Sequence, residues 1–150
     1  MREVRTYEGS VASDMEALRG FIAETMEAIA AYIPNRDLQY NIRLIIDELM
    51  VNGADHGNAW NRDKQVFLRI DMEPDRMRIA VRDEGEGFYY SAEDFECTTD
   101  SCCGRGLFIV ESICRAVEYK GNSIHCLMDS TMKRPRPQQL SVVHSKSSAE

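Results

Sequence analysis

The chain predicts an α+β sandwich, with helices on one face of a mixed, mostly antiparallel sheet. Three observations lead to that class. Residues 15–33 and 38–49 carry apolar side chains at three- and four-residue steps, the spacing of amphipathic helices. Residues 66–72 and 77–81 alternate apolar with polar, the period of half-buried strands. Residues 116–128 hold two short strand-like runs about Gly121-Asn122, a hairpin signal. The resulting order is strand, two helices, two strands, helix, two strands.

Each element has its own warrant. Residues 2–8 form a short, weakly patterned strand candidate. Ser13-Asp14-Met15-Glu16 reads as a capping box with Ser13 at the N-cap. The stripe Met15, Leu18, Ile22, Met26, Ile29, Ile33 follows, and Pro34 ends the helix. Asn35 can cap the next helix, whose stripe is Leu38, Ile42, Ile45 and Leu49. Gly53 and Gly57, with Asn58, are expected to close it. Val66, Leu68, Ile70 and Met72 mark a strand, Pro74-Asp75 a turn, and Met77, Ile79 and Val81 the returning strand. Gly104 to Ile113 reads as a glycine-led helix, and Ala116–Lys120 and Ser123–Met128 as the last hairpin.

Composition narrows the function classes. A chain of 150 residues suits one domain with a real core. The net charge of -7 argues against a nucleic-acid partner. No apolar run reaches the length of a membrane span, and residues 1–7 lack an apolar signal core, so a cytoplasmic protein is expected. Five cysteines without a disulfide framework fit reduced thiols, and Cys97, Cys102 and Cys103 lack the fourth ligand and CxxC geometry of a zinc site. Residues 131–150 are basic, Ser-rich and short of apolar side chains, which predicts a disordered tail after a folded domain spanning residues 1–130.

Three short motifs can carry chemistry. Glu48 and Asn52 stand four residues apart, on one face of the second helix and beside its apolar stripe. The Asn52 amide oxygen suits a hard cation such as Mg²⁺, and the Glu48 carboxylate suits proton abstraction. A solvated helix face would also hold such a pair. Asp83 continues the inward row of residues 77, 79 and 81, so its carboxylate needs a hydrogen-bond partner. An exocyclic amine such as adenine's would supply one, as would backbone amides of its own turn. Gly85 and Gly87 let the chain turn there and a ligand approach. Gly104-Arg105-Gly106 runs into a helix, whose exposed N–H groups and dipole favour anions. A tight turn before a helix explains the same residues. Between the glycine motifs, residues 88–103 show no period, as a ligand-covering lid would.

In this order the motifs resemble those of the histidine-kinase-like (GHKL) ATPase superfamily, over roughly residues 1–130. Asp47-Glu48-Leu49-Met50-Val51-Asn52-Gly53-Ala54-Asp55-His56-Gly57 looks like its N box. Asp83-Glu84-Gly85-Glu86-Gly87 looks like the G1 box, and Gly104-Arg105-Gly106-Leu107 the G2 box. The Asn-x-x-x-His-Gly run, the short lid and the Ala116-Val117-Glu118-Tyr119 hairpin look like the anti-sigma-factor serine kinase branch.

The resemblance implies a Bergerat-type ATP-binding fold, with ATP and Mg²⁺ as cofactors. It makes Glu48 the general base for a serine hydroxyl and Asn52 the Mg²⁺ ligand. It makes Asp83 the adenine contact, in a pocket shaped by Gly85 and Gly87. Gly104, Arg105 and Gly106 would lie along the phosphates, with His56 and Leu107 among the other nucleotide contacts. The implied partners are an anti-anti-sigma (STAS) protein, phosphorylated on serine, and a sigma factor, bound by a homodimer. Some relatives place Arg-Ser where this chain has Cys102-Cys103, so that phosphate contact is lost. Two alternatives remain. One is a nucleotide-gated binding module without turnover. The other is a detached histidine-kinase ATP-binding domain, which the absence of His from Ser13 to Ile33 argues against.

Overall fold

The computed structural model describes residues 4–87 and 103–130, with the side chains of the second stretch described from Gly106 onward. The expected lid over residues 88–103, all but its last residue, and the expected tail at 131–150 lie outside the described residues, as do Cys97 and Cys102. The elements are β1 (Arg5–Ala12), α1 (Met15–Ala30), α2 (Arg36–Asn52), a π-helical turn (Gly53–Gly57), β2 (Gln65–Met72), β3 (Arg76–Arg82), α3 (Cys103–Ile113), β4 (Ala116–Lys120) and β5 (Ser123–Asp129).

The sheet order is β1-β2-β3-β5-β4, and every pairing among the described residues is antiparallel. Alternation puts Val66, Leu68, Ile70, Met72, Met77, Ile79 and Val81 on one buried face. The helices cover that face. α2 lies between α1 and α3 and buries Leu38, Ile42, Ile45, Ile46, Leu49 and Met50. Each such side chain contributes about 1.5–3 kcal/mol when fully removed from water. The α+β class and the two layers agree with the sequence pattern.

Three local expectations are corrected. β1 runs over Arg5–Ala12 rather than 2–8, because pairing with β2 continues through Gly9 and Ser10 to Ala12 opposite Gln65. The N-cap of α1 is Asp14, whose carboxylate accepts from the Ala17 amide at 3.0 Å. Ser13 is buried instead, and its hydroxyl donates to the Lys64 carbonyl at 2.8 Å. Met15, at the head of the expected stripe, is exposed. As expected, Gly53 is the C-cap of α2, and Gly57 with Asn58 ends the turn that follows. Gly53 keeps helical dihedrals, and the chain winds on through the π-turn, where the Asn58 amide donates to the Gly53 carbonyl at 2.9 Å. The winding stops at Ala59 and Trp60, both left-handed with φ of 51° and 55°.

Asn35 does cap α2, accepting from the Asp37 and Leu38 amides at 2.9 and 3.1 Å. Cys114 and Cys126 are buried together. Their mutual hydrogen bond, then burial, push the Cys126 thiol well up, which keeps it protonated and unreactive.

Candidate functional site

The last turn of α2 carries Glu48 and Asn52. Asn52 is almost wholly buried, and its amide donates to Glu48 Oε1 across a long 3.4 Å. Burial pushes the Glu48 carboxyl above the usual glutamate range, the Asn52 bond pulls it back, and neighbouring Asp47 adds a further push upward. A half-desolvated carboxylate with a raised pKa is a better proton acceptor than a solvated one. Gly106 of α3 packs directly against this group: a Cβ at that position would overlap the Glu48 carboxylate. A site residue of α2 and one of the second glycine motif, 58 positions apart in sequence, are thus in contact.

Asp83 sits just past β3 on its inward face, 8% exposed. The Gly85 amide donates to its Oδ1 at 2.7 Å. Burial pushes its carboxyl up, while the Gly85 amide and then the positive charges of Arg82 and Lys64 hold it down. Gly57, at the end of the π-turn, lies against the Asp83 carboxylate, and Gly85 lies against the Gly57 carbonyl. A side chain at 57 would overlap the carboxylate, so this close approach requires glycine. The Asp83 amide donates to the Asn122 carbonyl at 3.1 Å, tying the β4–β5 turn to the same corner. Gly87 follows with φ of +126°, close to Gly121.

The remaining expected residues fall as follows. Gly104 and Arg105 are in the first turn of α3, with the Arg105 side chain outside the described residues. Leu107 is taken up by the hydrophobic core. His56 is exposed on the π-turn, its imidazole 3.8 Å from the Asp55 carboxylate. No three His, Cys, Asp or Glu side chains converge on a metal site among the described residues. Mg²⁺ generally takes one or two protein oxygens and completes its shell with phosphate and water. The Asn52 amide beside Glu48 fits such a donor set.

Sequence reasoning missed Asn58, which is buried and bonded to three other segments of the chain. Its only sequence signal is its place directly after Gly57, which reads equally as a helix stop.

A family model described as a histidine kinase-like ATPase domain matches residues 11–128. The chain belongs to the histidine kinase-like ATPase family. It therefore carries an ATP-binding, kinase-like module of that family, and Glu48, Asp83 and Gly106 all lie within the matched span. Among solved structures it is similar to the histidine kinase domain of a blue-light activated histidine kinase from Erythrobacter litoralis EL346, at 16% identity and a TM-score of 0.45. That match covers 85% of this chain but 64% of the other, so the chain spans less than two thirds of that protein's length. No curated protein matches it. No helix among the described residues is long and apolar enough to cross a membrane.

Proposed function

We propose that this family member is an ATP-dependent protein-serine kinase that acts as an anti-sigma factor and phosphorylates an anti-anti-sigma (STAS) protein. The observation that carries the reading is the Glu48 carboxylate, half-buried, raised in pKa and held between Asn52 and the Gly106 surface of α3. A group so placed is available to accept a proton. It fits a substrate hydroxyl better than an imidazole nucleophile, which needs no base to attack.

In this reading Asp83 accepts from the adenine amine, Gly85 and Gly87 shape the base pocket, and His56 flanks the nucleotide, while Leu107 anchors α3 in the core. Asn52 holds Mg²⁺, which supplies charge neutralisation at the phosphates when bound. Gly104, Arg105 and Gly106 are assigned to the phosphates, because the N-terminal end of a helix favours anions and an arginine there adds positive charge. Glu48 takes the serine proton while the γ-phosphoryl group passes from ATP to the serine oxygen and ADP leaves. The protein works in the cytoplasm as a homodimer, binding the sigma factor in one nucleotide state and the STAS protein in another.

The test is incubation of the full chain with Mg²⁺, labelled ATP and candidate STAS proteins, read by phosphoserine mass spectrometry. Label on a STAS serine is the expected result. ATP binding with no transfer to any cognate STAS protein would sink the kinase assignment in favour of a nucleotide-gated binding module.

A further inference from the structure

Asn58 is 1% exposed and has no part in the chemistry proposed above. Its side chain nevertheless uses all of its main bonding capacity. Nδ2 donates to Ser13 Oγ at 2.9 Å and to the Gln65 carbonyl at 3.0 Å. Oδ1 accepts from the Glu84 amide at 2.8 Å. One side chain therefore joins the entry to α1, the start of β2, the end of the π-turn and the loop after β3.

The bond to Glu84 matters most, because Glu84 lies between Asp83 and Gly85. Its amide is pinned by Asn58 on one side of the loop, while the Asp83 amide is pinned by Asn122 on the other. Glu84 also returns a bond, its carboxylate accepting from the Gln65 amide. The π-turn makes this possible. A turn closing five residues back, rather than four, re-aims the residues that follow. Gly57 then meets Asp83, and Asn58 points inward.

We propose that Asn58 is a positioning residue for nucleotide recognition: through the Glu84 amide it fixes the Asp83 carboxylate where the adenine amine is to be met. This rests on the reading of Asp83 as the adenine contact. Buried networks with every member satisfied hold one geometry, and removing one member leaves the others unpaired.

Two substitutions separate positioning from mere stability. Asn58→Ala removes all three bonds. Asn58→Asp keeps an acceptor for the Glu84 amide but loses both donors and buries a charge near the Gln65 carbonyl. The aspartate variant should therefore melt below the alanine variant, yet bind ADP more tightly, close to wild type. Asn58→Ala should weaken ADP by roughly 10–100-fold, the equivalent of one unmet buried polar group. Its Glu84 and Gly85 amides should exchange faster with deuterium in the nucleotide-free protein, while α2 stays protected. Affinity that follows melting temperature, or wild-type affinity in Asn58→Ala, would overturn the proposal. If Asn58→Asp does not fold, Glu84 exchange in Asn58→Ala decides: unchanged protection overturns it. Wild-type protein that binds no adenine nucleotide overturns the functional reading instead, and the same exchange rates still decide whether Asn58 anchors the loop.

Discussion

The corner around Asp83 and the contact between Glu48 and Gly106 both lie where the helical layer meets the end of the sheet, but they are held in place differently. At the corner, backbone groups and short side chains from five segments interlock: Ser13, Gly57-Asn58, Gln65, Asp83–Gly85 and Asn122. The bonds made by the Asn58 side chain, the Asp83 amide and the Gly85 amide are 2.7 to 3.1 Å long, with a longer one of 3.5 Å from the Asn122 side-chain amide to the Gly85 carbonyl. Glu48, by contrast, is a longer side chain with a 3.4 Å bond to Asn52 and a glycine surface opposite. A recognition site gains from fixed geometry, since a preformed pocket need not be ordered when ligand arrives. A proton acceptor must meet a second substrate, so a looser, half-buried carboxylate suits it.

The largest effect should come from breaking the chemical end alone. Glu48→Gln keeps size and polarity but removes the base. Phosphotransfer to a STAS partner should fall by roughly 10²–10⁴-fold, the usual share of general acid–base catalysis, with ATP affinity unchanged by titration. A normal rate in this variant would move the base elsewhere and dissolve the contrast between the two ends.

Next in size are the two contact glycines. In Gly106→Ala the new methyl overlaps only the end of the flexible Glu48 side chain, which can swing aside. Folding should hold and ATP affinity should fall less than in Gly57→Ala, while transfer drops by about 10²-fold, as misplacing a reacting group by about 1 Å can do. In Gly57→Ala the methyl overlaps the short Asp83 carboxylate, which the Gly85 amide holds and which has little room to yield. There ATP affinity should fall roughly 10–100-fold, from an overpacking strain of about 1–3 kcal/mol. Calorimetry and single-turnover rates on both variants check the pair. Equal losses of affinity would mean that the two ends are one rigid unit.

Asp83→Asn sharpens the recognition end further. The amide can still accept from Gly85 but is a weaker partner for an amine, so ATP should weaken by about 1–3 kcal/mol and the preference over GTP should narrow. Retained ATP-over-GTP preference in this variant would place adenine recognition elsewhere.

How much of this was legible beforehand depends on whether the cause was periodic. Burial on one side repeats every two or 3.6 residues, so the strands at 66–72 and 77–81 and the stripe of α2 stand out in the sequence. Glu48, Asn52 and Asp83 are legible for a related reason: each is a polar residue on or beside an apolar row. Asn58 is not. Two of its three partners, Ser13 and Glu84, are 45 and 26 residues away, and the third, Gln65, leaves no pattern in the sequence. The π-turn is equally silent, since one extra residue in a turn leaves no pattern. At Ser13-Asp14 two adjacent residues could each cap α1. The distant Lys64 carbonyl decides between them by taking the Ser13 hydroxyl.

The smallest predicted effect concerns what the two carboxylates cost the fold. Burial raises the folded-state pKa of Glu48 and of Asp83 above their ordinary values of 4.5 and 3.8. For such a group the protonated form is favoured by folding. Its stabilising contribution is fully present below the unfolded pKa and is lost as pH rises through the folded pKa. At neutral pH both residues are therefore a burden. Glu48→Gln should raise the melting temperature at pH 7 by a few degrees at most, because solvent reaches this half-buried group and screens it. That gain should fade as the pH is lowered toward the unfolded value, where wild-type Glu48 is itself neutral. Asp83→Asn should gain less, because the Gly85 amide, Arg82 and Lys64 already favour its charged form. Thermal melts of both variants against wild type, from neutral to acidic pH, test the order. If Asp83→Asn proves the more stabilised, the interlocked corner does less to accommodate its charge than its hydrogen bonds imply, and the contrast with Glu48 weakens.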